Sequence, residues 1–328
     1  MNKKIQFTSL KIEKLEAILR RLNQNHPLRA KAESWFDTSK AGERGERSLD
    51  FHMDFLVNEK HLLFEGTRLS SGKYYFQIDA LVVHSNFILI LEVKNLAGTL
   101  IFDTDHNQLI QQFEDREVIH RDPIQQVNLQ HYKFKQWLEE NRLLKDIPIY
   151  SYVVIANDKA KIIRKNNNGF LAKDVIRATK IRETVNNLFT RHKNEILSSK
   201  DLQKIRKLLI KQHTPSNPDL LNKLQIKKEE LYTGVQCPRC LKLPIKRKHG
   251  KWVCPDCYST SKDAYLTALR DYFLLINPSI TTMELKDYLH LKSRTTSQRL
   301  LSSLNLNHEG TTKNRIYHLN SLWPKNYK

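Results

Sequence analysis

The spacing of apolar positions changes several times along this chain, and each change marks an element. Residues 9–24 (SLKIEKLEAILRRLNQ) set Leu10, Leu15, Ile18, Leu19 and Leu22 at helical spacing, and Pro27 puts the end of that helix near Asn25. The stretch Gly42-Glu-Arg-Gly45 reads as a break. A second helix follows over 46–58, with Leu49, Met53 and Leu56 on one face. From residue 61 the pattern shortens to β-type runs at 61–69, 74–83 and 87–93, then a hairpin from 99–102 to 109–113. Helical spacing returns over 124–144, and 149–155 (IYSYVVI) has the profile of a buried strand. Residues 175–191 and 201–212 read as surface helices rich in Lys and Arg, and 213–218 (HTPSNP) as a linker. Beyond it, 263–275, 282–291 and 293–304 are helical in spacing, and 307–319 suits a short hairpin.

A length of 328 residues and 40% hydrophobic content fit two or three domains with real cores. The boundaries predicted are a helical extension over 1–40, an α/β domain over 41–212, a linker over 213–230, a small ribbon over 231–262 and a last domain over 263–328. No apolar run is long enough to span a bilayer, which argues against a membrane partner. No apolar stretch follows the N-terminal lysines, so no signal peptide is read and a cytoplasmic location is expected.

All four cysteines fall in one pattern: Cys237-Pro-Arg-Cys240, thirteen residues, then Cys254-Pro-Asp-Cys257. Two C-x-x-C pairs at this separation predict a tetrahedral thiolate cage for a structural Zn²⁺, and four thiolates leave no open position for catalysis. The intervening LKLPIKRKHGKWV predicts a hairpin turning at His249-Gly250. Lys246, Arg247, Lys248 and Lys251, with Trp252 beside them, are candidates to touch phosphates and a base. Equally, Trp252 packs the ribbon and the lysines are simply solvated.

The formal net charge is +20. Such an excess points to a polyanionic partner, usually nucleic acid. It is unevenly spread: residues 43–150 hold 12 basic against 17 acidic side chains, whereas 151–226 hold 16 against 6. An acidic segment inside a basic chain suits a carboxylate metal site flanked by phosphate-gripping surfaces.

Within the acidic segment, Gln77-Ile-Asp79 precedes Ile90-Leu-Glu92-Val-Lys94-Asn95. Two apart on a strand, Glu92 and Lys94 share a face. A hairpin of the two runs brings Asp79 to Glu92. Charged groups in such apolar surroundings are costly unless paired or on a metal. Two carboxylates suit Mg²⁺ or Mn²⁺, and Lys94 suits orienting a water or offsetting charge on a phosphate. Glu-x-Lys alone is common on exposed strands; the ordered set is what carries weight.

That set resembles the signature of the PD-(D/E)XK restriction-endonuclease-like superfamily, and more closely its nuclease-related domain (NERD) branch. The resemblance rests on Gly45-Glu46 at a helix start, Ile78-Asp79, Glu92 to Asn95, Gly98, and Asp122-Pro123-Ile-Gln-Gln126, over roughly residues 40–160. It implies an α/β core with a mixed sheet flanked by helices. It also implies Glu46, Asp79 and Glu92 as Mg²⁺ or Mn²⁺ ligands, Lys94 as catalytic lysine, and Gln126 approaching from its helix. Glu43 competes with Glu46 for the helix carboxylate. Asp122 stands where the family has Asn, and either residue can cap a helix. His84, His106, His120 and His131 are scattered; of these His120 and Arg121 are the best placed for a phosphate.

Residues 264–320 have the order of a winged helix-turn-helix. Arg294, Thr295, Thr296, Gln298 and Arg299 lie on the expected recognition helix, and Lys313 and Arg315 on the wing. A three-helix packing or partner-binding module reads the same way. The function the resemblance implies is a metal-dependent nuclease acting on DNA, in DNA processing or defence against foreign DNA. The competing readings are a non-catalytic DNA-binding regulator or plasmid-maintenance protein on a nuclease-like scaffold, and an RNA-binding or RNA-cutting protein. A homodimer or a partner protein stays open.

Overall fold

The computed structural model describes residues 4–7, 10–53, 61–143, 145–164, 174–311 and 315–322. Two compact units emerge, Met1–Thr8 with Lys40–Thr214, and Ser9–Ser39 with Pro215–Lys328. The chain opens with β1 (Lys4–Gln6), α1 (Leu10–Arg21) and α2 (Arg29–Met53). Helix α2 runs unbroken through Gly42 and Gly45, so the expected break is absent. Each glycine costs a helix only about 1 kcal/mol relative to alanine, and no proline intervenes. Gly45 has a packing reason to be there: a Cβ on it would sit 2.3 Å from the Cβ of Asn95. Leu56 lies outside the described residues.

The first unit continues with β2 (His61–Ser71), β3 (Tyr74–His84), β4 (Ile88–Lys94), β5 (Thr99–Asp103), β6 (Gln108–Gln112), β7 (Glu117–Arg121) and α3 (Pro123–Glu140). It ends with β8 (Ile149–Ile155), β9 (Lys161–Arg164), β10 (Val175–Arg177), α4 (Ile181–Arg191) and α5 (Ser199–Gln212). Six strands form a mixed sheet in the order β1-β2-β3-β4-β8-β10. The hairpin β2-β3-β4 is antiparallel, whereas β1, β8 and β10 run parallel to their neighbours. On one face Ile88, Ile90, Val153 and Ile155 pack against Val127, Phe134 and Trp137 of α3 and Ile205 and Leu209 of α5. On the other, Leu89, Leu91, Val93 and Val154 meet Leu49 and Met53 of α2 and Val185 and Leu188 of α4. The result is a sheet flanked by helices, which suits a nuclease-like core. A second sheet has the order β7-β6-β5-β9.

The single helix expected over 175–191 is corrected to a strand, a 3-10 turn (Ala178–Lys180) and α4. Val175 and Ile176 are β-branched and complete the sheet edge beside Val153 and Val154, where their side chains fit the pleat better than a helix.

In the second unit, α6 (Leu220–Leu224) is followed by a three-stranded ribbon of β11 (Lys246–Lys248), β12 (Lys251–Val253) and β13 (Thr260–Ser261). Then come α7 (Ala264–Leu275), β14 (Ser279–Thr281), α8 (Thr282–Tyr288), α9 (Arg294–Ser302), β15 (His308–Glu309) and β16 (Ile316–His318). The last three strands pair in the order β14-β16-β15. A capping box of Thr281 and Glu284 starts α8, and the Ser293 side chain accepts from Thr296 N to start α9. Helix α1 belongs to this unit through Leu15, Ile18 and Leu22, which pack with Leu220, Leu224 and Leu274. Fully buried Asp271 of α7 accepts from Arg20 Nη1 at 2.5 Å and Arg21 Nε at 2.7 Å.

Candidate active site

The end of β4 gathers the candidate residues. Antiparallel pairing of Ala80 with Leu91 sets Asp79 opposite Glu92 one step further along, and Asp79 Oδ2 accepts from the Val93 backbone N–H at 2.9 Å. Glu92 is buried, and both of its oxygens are engaged. Oε1 accepts from Lys94 Nζ at 2.6 Å and Oε2 from Gln130 Nε2 at 2.6 Å. Lys94 also donates to Gln126 Oε1 at 3.1 Å. Helix α3 thus reaches the strand through two glutamines four residues apart on one face. Its start is fixed by Asp122, whose carboxylate accepts from Ile124 N at 2.8 Å, with Pro123 in the first turn.

Helix α2 adds Glu46. Its close approach depends on Gly45, and Asn95 Nδ2 donates to the Ala41 carbonyl at 3.0 Å to hold helix and strand end together. Burial, then the charges of Glu92 and Glu43, raise the Glu46 pKa to about 7. Burial, then the charges of Glu92 and Glu46, push Asp79 well above the ordinary carboxylate range. The site thus gathers more carboxylates than Lys94 can hold ionised, the condition under which a divalent cation is welcome. Glu43 instead pairs with Lys40 at 3.0 Å and Arg47 at 3.1 Å.

The three carboxylates do not form one ligand group: among the described residues only the four cysteines bring such atoms mutually within 4.8 Å. Oxygen donors on two strands and a helix nonetheless suit Mg²⁺ or Mn²⁺ by type. Gln130 was not singled out from the sequence. Its buried Oε1 has no hydrogen-bond partner, which sets it apart from an ordinary core amide. The signal available was its i+4 relation to Gln126.

His120 lies close enough to Lys94 that burial, together with that charge, lowers its pKa, and its Nε2 meets Gln111 Oε1 at 2.9 Å. His84 packs on Phe87 and Phe189, His106 meets Asp103, and His131 meets Ser151 Oγ at 2.9 Å.

The cysteines are as close as their spacing predicts. Sγ separations of 3.6 Å (Cys237–Cys257) and 3.4 Å (Cys240–Cys254) are too long for disulfides. They approach the edge of about 3.8 Å that a tetrahedron of Zn–S bonds near 2.3 Å requires, so the cluster fits a small zinc ribbon. Trp252 is corrected as a base-stacking candidate. It is 1% exposed within the core of Ile245, Tyr265 and Leu269, because it lies on the inward face of β12. Arg247 lies over its ring at 5.8 Å. Lys246, Lys248 and Lys251 are exposed, as are Arg294, Gln298 and Arg299 on α9; Arg315 is half-buried. Lys313 lies outside the described residues.

Residues 41–156 match the family model of the nuclease-related domain, NERD. The matched stretch includes Glu46, Asp79, Glu92, Lys94, Gln126 and Gln130. No curated protein and no solved structure matches the chain. Among the described residues, no helix is long and apolar enough to cross a membrane.

Proposed function

We propose that the protein is a Mg²⁺- or Mn²⁺-dependent nuclease that hydrolyses phosphodiester bonds in DNA. The observation that carries this reading is the Lys94 ammonium held between Glu92 and Gln126, within a surplus of buried carboxylate from Asp79 and Glu46. It falls in the stretch that matches a nuclease-related family.

In this reading Asp79, Glu92 and Glu46 hold the divalent ion. When bound, that ion supplies an acidified water and offsets charge on the scissile phosphate. Gln130 and Lys94 orient the two Glu92 oxygens. Lys94 presents positive charge where the pentacovalent phosphate builds negative charge, a role worth about 100- to 1,000-fold in rate for a single such donor. Gln126, exposed at the rim, keeps Lys94 aimed outward. The Cys237/Cys240/Cys254/Cys257 cage holds a structural zinc. Helices α8 and α9 with β14, β16 and β15 form a winged helix that presents Arg294, Gln298 and Arg299 to DNA, with Arg315 on the wing.

The test is cleavage of supercoiled, linear and single-stranded DNA and of RNA with Mg²⁺ or Mn²⁺, then with EDTA. Wild type is compared with Asp79→Ala and Lys94→Ala. Metal-dependent cutting of DNA that falls about 100-fold or more in both variants is expected. Cutting of no substrate, or equal cutting by the variants, sinks the enzyme reading and leaves a non-catalytic DNA-binding protein. Preference for RNA reassigns the substrate.

A further inference from the structure

The ribbon's outer face has an unusual charge layout for a sheet this small. Register pairs Arg247 with Trp252 and Trp252 with Ser261, so these three share the inward face. The alternate positions turn outward. Lys248 stands directly opposite Lys251, and Lys246, Val253 and Thr260 form the neighbouring row. Like charges directly across a strand pair are destabilising. None of these three lysines is ion-paired among the described residues; the nearby Lys242 pairs with Asp256 at 3.2 Å. A polyanion laid along this face would relieve that repulsion.

A second observation comes from the cysteine knuckle that leads into β13. Tyr258 follows Cys257 directly and is 80% exposed. Its backbone is left-handed, with φ of 59°, and its N–H donates to the Cys254 carbonyl at 3.2 Å. Glycine takes this conformation without strain, whereas a residue that carries a Cβ is strained in it. Here the position holds a large aromatic ring that contributes nothing to the core. The left-handed backbone fixes the direction of its Cα–Cβ bond, and the ring is open to a stacking partner.

We propose that the outer ribbon face and the cysteine knuckle that leads into β13 together bind a single-stranded polynucleotide, Lys246, Lys248 and Lys251 meeting phosphates and Tyr258 stacking on an unpaired base. A duplex hides its base faces in its own stack, so the ring selects unpaired strands. This rests on the nucleic-acid reading above and adds to it the strand type and a residue outside the matched domain.

Binding is measured by fluorescence anisotropy on the full zinc-loaded chain carrying Lys94→Ala, without Mg²⁺ or Mn²⁺, using oligothymidylate, oligouridylate and a DNA duplex. Tyr258→Ala is expected to weaken single-strand binding about ten-fold while duplex affinity holds, and Tyr258→Phe to retain it. The Lys248→Ala/Lys251→Ala pair should weaken all three ligands and lower the salt slope by about 1.4 on the single strands and about 1.8 on the duplex. The tighter of the two single strands identifies the source as DNA or RNA. Zinc content, measured in parallel, verifies that each variant keeps its ribbon. Unchanged single-strand affinity in Tyr258→Ala, or an equal loss on the duplex, overturns the proposal. Binding to none of the three overturns it together with the nucleic-acid reading, whereas absence of cleavage alone leaves it standing.

Discussion

Two polar clusters in this molecule solve opposite problems. The carboxylate–lysine site sits at the end of a sheet whose two faces are packed by α2, α3, α4 and α5. Its scaffold is held by those apolar faces, and the charges are strained guests on it: burial, then the charge of Glu92, pushes Asp79 and Glu46 toward their acid forms. The four-cysteine cluster has no such support. Its strands are two or three residues long, and Cys237 and Cys254 are themselves core residues beside Trp252. There a metal held by the four thiolates would supply the fold. The contrast teaches that one cluster is imposed on a finished scaffold, whereas the other has to help make its own.

The sharpest way to break this contrast is to remove metal. Stripping zinc, or Cys254→Ser, should abolish hydrogen-exchange protection over 235–262, since structural zinc is worth about 10–16 kcal/mol to such small modules. Residues 61–155 should keep theirs; loss of protection in both regions would erase the distinction. Next in size is Asp271→Ala, which leaves Arg21 buried without its carboxylate. We expect a loss of about 3–5 kcal/mol in urea melts, confined to the unit that contains α1 and α7. Gly45→Ala comes third. The new methyl meets Asn95 at 2.3 Å and should cost about 1–3 kcal/mol while displacing Glu46. A variant with unchanged stability and unchanged cleavage would show that α2 tolerates a wider seat.

The smallest effect concerns pH. His213 stacks on Phe7 at 3.6 Å, and its Nδ1 accepts from Arg68 N at 3.1 Å. Burial, then the Arg68 charge, lowers its pKa to about 4 from 6.5. A depressed histidine favours the neutral form in the fold, so its contribution is present above pH 6.5 and lost as pH falls through about 4. The melting temperature of wild type should therefore fall more steeply over that window than that of His213→Gln; parallel curves would remove His213 from the account.

Much of the first unit was legible because period-2 runs and an ordered motif act locally. The hairpin that joins Asp79 to Glu92 follows from two adjacent strands, and Lys94 from strand alternation. What stayed hidden was decided at a distance. Nothing local tells that Gly45 sits inside a helix against Asn95, or that Gln130 is buried on Glu92. The pairing of Arg20 and Arg21 with Asp271 spans most of the chain. Strand β10 is three residues long and reads as the helix it precedes. Trp252 was ambiguous because a two-faced ribbon offers either side to a large ring, and the core took it.

Asp79, Glu92 and Glu46 are proposed to hold a divalent ion, with Lys94 acting beside it. Calorimetric titration of Mn²⁺ into wild type, Asp79→Ala and Lys94→Ala, paired with cleavage on the same samples, tests it most directly. The account requires Mn²⁺ binding in wild type, its loss in Asp79→Ala, and retained binding without cleavage in Lys94→Ala. Wild type that takes up no Mn²⁺ beyond the cysteine cage, or Asp79→Ala that binds it equally well, would contradict it.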